Sequence, residues 1–174
     1  MPNLVDEVGD EREGLLTFLE AQRAGLRRAA RGLTDEQVSA TPTASSLSIG
    51  GLIKHNMEVE RNWIVGTLDG RRDELPQRDQ SNWADSFRLV EGERLAGVLK
   101  AYEAVARETE EIVRALPDLG VTVPLRMPWF PPDTKRSARW ILLHLIEEVA
   151  RHWGHADIIR ETLDGKKSFE LAES

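Results

Sequence analysis

Four histidines carry most of the chemistry this sequence could perform. His55 stands far upstream, whereas His144, His152 and His155 crowd into one short stretch around Glu148. Glu148 and His152 are four residues apart. On a helix that spacing puts two side chains one turn apart on one face, with Cβ atoms about 5–6 Å apart. A carboxylate oxygen and an imidazole nitrogen can then converge on one divalent ion, as they do in helical zinc sites. A third ligand from another element would complete a centre with an open coordination position, and His55 is the one histidine outside the cluster. Plainer readings compete. A lone histidine on an apolar face is commonly a hydrogen-bonded core residue, and a Glu-x-x-x-His pair is commonly a surface contact. Both features at core-facing positions weigh toward a metal, because buried charge is costly unless it is paired.

The elements that must position these residues read as helices. At about 100° per residue, Ile141, Leu145, Glu148, His152, His155 and Ile159 fall within one stripe. The stripe begins and ends apolar but carries Glu, His and His in its middle. His144 lies toward its rim, where packing or hydrogen bonding is the simpler role. Around His55, the residues Leu52, Val59, Trp63 and Gly66 share the core side, and Asn62 is placed to support the site by hydrogen bonding.

The pattern predicts four long helices: from about Glu11 to Arg31, from an N-cap at Ser48 to Leu68, from Ser86 to Leu116, and from Ser137 to Leu163. In the first, Leu15, Phe18, Leu19, Gln22 and Leu26 form the expected core stripe. In the third, the buried set is Leu95, Val98, Leu99, Tyr102, Val105, Ile112 and Val113, with Glu108, Glu110 and Glu111 on a solvated face. Thr34 to Gln37 reads as a capping box opening a short helix. Residues 71–85 form a polar loop. The proline-rich stretch from Val121 to Asp133, with Trp129 and Phe130, cannot be a helix interior and is expected to be an extended or covering loop. The tail after Lys166 is expected to be loose. The expected fold is all-α: a four-helix bundle with long connecting loops, forming a single domain over residues 1–174.

Composition narrows the function classes. A net charge of -7 argues against nucleic acid or an anionic membrane as the main partner. With no cysteine, disulfides, thiolate ligands and a cysteine nucleophile are excluded, so thiol chemistry would need a thiol from solution. The acidic N-terminus has no signal-peptide character, and no apolar run reaches the roughly 20 residues of a spanning helix. A cytoplasmic protein is expected. Arginine outnumbers lysine, 18 to 5, which points to a GC-rich, actinobacterial source. There is no phosphate-binding glycine loop, since Gly50-Gly51 opens a helix without the rest of that pattern, and no Gly-x-Ser-x-Gly elbow.

The stretch Ser48-Ile49-Gly50-Gly51-Leu52-Ile53-Lys54-His55, followed by Glu58, resembles the first ligand helix of the DinB-like (YfiT-like) metalloenzymes. The run from His144 through Glu148, His152 and His155 to Glu161 resembles the last helix of the actinobacterial branch, which includes mycothiol-dependent enzymes. The resemblance implies a four-helix bundle holding a divalent metal, zinc first and nickel second. Many members use three histidines; Glu148 departs from that pattern and matches the His/Glu/His set of mycothiol-dependent maleylpyruvate isomerase. The ligands so implied are His55, Glu148 and His152. The expected function is metal-dependent S-transfer with mycothiol as cosubstrate, the partners being a small-molecule thiol and an electrophile. His155 is the candidate proton relay, the loop at Trp129 and Phe130 a pocket cover, and Arg139 and Arg151 the candidate contacts to the thiol. A metal-water hydrolase and a non-catalytic small-molecule-binding protein stay open as alternatives, and exposed bundle faces leave a homodimer open.

Overall fold

The computed structural model describes residues 4–127 and 130–171. Its frame is four long helices, as the periodicity requires. Helix α1 (Glu11–Ala29) starts at Asp10, whose side chain accepts from the Glu13 amide. The short α2 (Asp35–Ser39) is opened by the expected capping box of Thr34 and Gln37. Helix α3 (Ile49–Arg61) is capped by Ser48, whose hydroxyl accepts from the Gly51 amide. Helix α4 (Leu95–Ala115) stops ahead of Pro117, and α5 (Ala138–Asp164) runs from the Ser137 cap to Gly165, which takes the left-handed conformation at φ 77°.

Helix α1 packs along α5, and α3 contacts both α4 and α5. Leu19, Leu26, Leu52, Ile53, Ile64, Tyr102, Ile141, Leu142 and Leu145 fill the space between them. Close approach of α1 and α5 depends on Gly25, where an added Cβ would lie 2.4 Å from the Trp153 ring. Arg160 of α5 satisfies the free carbonyls at the end of α1 by donating to Ala29 and Arg31.

Three expectations are corrected and one is refined. Phe18 is 50% exposed, and the buried stripe of α1 runs through Leu16, Leu19, Arg23 and Leu26 instead. The long third helix begins at Leu95, because Gly92 at φ 85° ends the preceding segment, which makes a single 3-10 turn at Trp83–Phe87. The second helix does reach Leu68, but from Asn62 it widens into a π-helix, with the Asp69 amide reaching back to the Ile64 carbonyl. The tail is docked. A 3-10 turn at Ser168–Leu171 buries Leu171, whose carbonyl accepts from Arg31, and Trp153 donates to the Ser168 hydroxyl.

The proline-rich connection forms a two-stranded antiparallel ribbon, β1 (Thr122–Pro124) with β2 (Lys135–Ser137), that delivers the chain into α5. Among the described residues no helix is long and apolar enough to cross a membrane.

Candidate metal centre

Helices α3 and α5 bring His55, Glu148 and His152 together. One ligand atom from each lies within 4.8 Å of the others. His152 Nε2 is 3.2 Å and His55 Nε2 3.4 Å from the same oxygen, Glu148 Oε1. Donors about 2.0–2.1 Å from a tetrahedral zinc are themselves about 3.3 Å apart, so these two separations are compatible with a shared ion. His55 and His152 are 4% and 8% exposed, and the Glu148 side chain 17%. The His152 and His55 contacts hold the Glu148 carboxyl well below the ordinary carboxylate range, against the opposing effect of its burial. A carboxylate kept ionised between two imidazole nitrogens is a donor set for a divalent cation. The residues fit the group.

The stripe on α5 is laid out as periodicity requires, with Ile141, Leu145 and Ile159 buried on either side of the polar residues. His155 sits on the far edge of His152, its Nδ1 3.4 Å from His152 Nδ1. Arg151 is exposed, paired with Glu147, and its Nη1 lies 3.9 Å from Glu148 Oε2. Arg139 is paired with Glu11 at the start of α1 and lies nine positions before Glu148, about 13 Å along the helix axis. Trp129 lies outside the described residues. Its neighbour Phe130 packs edge-on against Trp63, with ring centroids 6.5 Å apart. Asn62 does not hydrogen-bond to His55; its Oδ1 accepts from Arg72 Nη1. His144, one turn before Glu148, stacks on Trp140 at 5.2 Å and meets the edge of Trp63 at 5.1 Å.

Two contributors escaped the sequence reading. Phe87 stacks on His55 with centroids 3.9 Å apart and planes 20° from parallel. Gly51 makes room for it, since a Cβ there would lie 1.8 Å from the Phe87 carbonyl oxygen. The usable signal was the glycine pair itself. Gly51 is one turn ahead of His55 on the same face, and small residues on a buried helix face mark the crossing of another segment.

Comparisons with known proteins agree with this architecture. A conserved protein from Enterococcus faecalis, known from its crystal structure, superimposes with a TM-score of 0.69 at 15% identity, covering 91% of this chain and 100% of its own. At that identity the likeness speaks for the fold alone. No curated protein matches the sequence. A family model described as mycothiol-S-transferase matches residues 14–165, a span holding His55, Glu148, His152 and His155. The chain therefore belongs to the mycothiol-S-transferase family.

Proposed function

We propose that this protein is a divalent-metal-dependent S-transferase that uses mycothiol as thiol cosubstrate and joins its sulfur to an electrophilic carbon, the S–H proton passing to a base as the carbon releases a leaving group or the electron pair of a π bond. The observation that carries the reading is the convergence of His55, Glu148 and His152, in a family named for mycothiol transfer, on a chain without cysteine. The chain must therefore borrow its sulfur nucleophile.

His55, Glu148 and His152 would hold the ion, zinc by preference for this donor set and nickel as the second choice. A dication held by two imidazoles and one carboxylate would keep net positive charge and would lower the proton affinity of a thiol nearby. The remaining work belongs to the chain. His155, whose Nδ1 meets the second nitrogen of His152, would fix that ring by accepting its N–H, and could relay the thiol proton only by giving up this contact. Arg151, beside the outer oxygen of Glu148, presents a positive charge to polar groups of the cosubstrate. Arg139 would have to release Glu11 to do the same.

The test is direct. Purified protein is incubated with mycothiol and a chromogenic electrophile, before and after chelation, with elemental analysis beside His55→Ala and His152→Ala. A conjugate that forms only with metal, and is lost in both variants, supports the reading. Turnover without thiol would replace it with metal-water hydrolysis, and absence of conjugate across several electrophiles would refute it.

A further inference from the structure

A metal-binding imidazole has a second nitrogen, and proteins ordinarily fix the ring by giving that nitrogen a carboxylate, carbonyl or water partner. His152 has a partner of this kind in His155. Among the described residues His55 has none: its Nδ1 is buried without a hydrogen-bond partner. What meets the ring instead is the face of Phe87 at 3.9 Å. The same phenyl ring stands edge-on to His152, with centroids 6.3 Å apart, so one aromatic side chain borders both imidazoles.

The chain holds Phe87 there by several independent contacts. Gly51 lets its carbonyl lie against α3, and Gly50 admits the Leu89 side chain, 2.9 Å from where a Cβ would stand. Lys54, only 3% exposed, donates to the Arg88 carbonyl and to Glu93. Arg78, whose Nη1 donates to the Asn82 carbonyl, is paired bidentately with Glu58. Three of the residues that anchor this segment, Gly51, Lys54 and Glu58, flank His55 on its own helix. A flip of the His55 ring about its Cβ–Cγ bond would sweep it through the volume that Phe87 fills. Stacking therefore restricts the ring without using a nitrogen.

We propose that Phe87 is a positioning residue for the metal centre: stacked on His55, it sets the orientation of an imidazole that no second-nitrogen hydrogen bond holds, and the segment from Trp83 to Leu89 is the strap that keeps it in place. The inference rests on His55, Glu148 and His152 being the ligand set. It predicts a residue whose loss weakens metal binding although it offers no donor atom.

Phe87→Leu keeps apolar bulk and removes the ring, whereas Phe87→Tyr keeps the ring. Zinc affinity is read by competition with a chromogenic chelator, ligand geometry from the visible spectrum of the cobalt-loaded protein, and the fold from melting of the metal-free protein. Phe87→Leu is expected to lose about 10- to 100-fold in zinc affinity, the usual effect of removing a residue that orients a ligand. Its cobalt spectrum should shift while the metal-free melt stays near wild type, and Phe87→Tyr should restore both readouts. Gly51→Ala provides a second route, because it displaces the Phe87 backbone while leaving the ring in the chain, and it should weaken zinc binding in the same direction. Wild-type affinity and an unchanged cobalt spectrum in Phe87→Leu would overturn the role of Phe87, as would equal losses in the Leu and Tyr variants. A wild-type protein that takes up no zinc removable by His152→Ala would instead overturn the ligand set itself.

Discussion

Helix α3 contributes to two buried polar clusters, and they differ in where the positive charge comes from. Glu60 is fully buried. Its Oε2 accepts from Arg23 Nε at 2.9 Å, while Oε1 accepts from Arg23 Nη2 at 2.5 Å and from the Thr109 hydroxyl at 2.6 Å. Both oxygens are satisfied by the chain, and the counter-cation is covalently part of it. Glu148 is provided for differently. Among the described residues, two imidazole nitrogens face one of its oxygens, the nearest guanidinium to the other is 3.9 Å away, and His55 Nδ1 has no partner. A saturated carboxylate locks three helices together, α1 through Arg23, α3 through Glu60 and α4 through Thr109. The Glu148 carboxylate instead faces nitrogens that can bind a cation, the donor set that the proposed metal site requires.

If that contrast is right, the largest effect of any substitution belongs to the saturated cluster. Glu60→Ala leaves Arg23 buried without its main partner and should cost about 3–5 kcal/mol in urea unfolding. Zinc stoichiometry in the surviving folded protein should be unchanged; loss of zinc there would mean the clusters are not independent. His152→Ala should do the reverse. Zinc present at about 100 times its dissociation constant stabilises a folded protein by about 2.7 kcal/mol. That zinc-dependent rise in melting temperature should vanish in the variant, while the metal-free melt changes far less.

A smaller, pH-dependent effect separates the two regions further. Tyr102 is the one tyrosine in the chain, wholly buried near Glu60, and burial raises its hydroxyl well above the ordinary value. A raised folded-state value means that its contribution to stability is complete below the unfolded value of about 10 and is lost as pH climbs past it. Phenolate absorbance should therefore appear only together with loss of helical circular dichroism. A phenolate signal in still-folded protein would show that the cluster is wetter than its burial indicates. The smallest effects are expected at the surface. Arg151→Ala should raise the KM for mycothiol with little change in kcat, whereas Arg139→Ala, which breaks only an exposed pair with Glu11, should leave steady-state kinetics and melting as in wild type. The opposite ranking would move the thiol site toward the start of α5.

How far the sequence could be read depended on the range of the interaction. The polar interruption of the α5 stripe at Glu148, His152 and His155 was visible because it breaks a local periodicity that Ile141, Leu145 and Ile159 otherwise keep. The caps at Ser48 and Thr34, and the start of the last helix near Ser137, were visible for the same reason, since a cap bonds within three residues of itself. Phe18 was misplaced because an apolar residue one step outside a helical stripe looks the same in sequence as one inside it. The start of α4 was set too early because residues 86–94 carry helix-compatible side chains; Gly92 and the pull of Lys54 on Arg88 and Glu93 determine otherwise. The tail looked loose because the groups that hold it, Arg31, Trp153 and Asp157, are remote or on the preceding helix.

The sequence alone determined four long helices (though not where α4 begins), the caps at Ser48 and Thr34, the residue types on the α5 face, and that thiol chemistry would need sulfur from outside the chain. These follow from residue type, from periodicity of about 3.6 residues, and from the absence of cysteine. Only the tertiary structure decided that His55 Nε2 and His152 Nε2 share one oxygen of Glu148, that Phe87 lies flat on His55, and that Arg23 rather than a solvent ion neutralises Glu60. Each of those contacts joins residues far apart in the chain or fixes a side-chain direction to within ångströms, and both are set by how the helices pack.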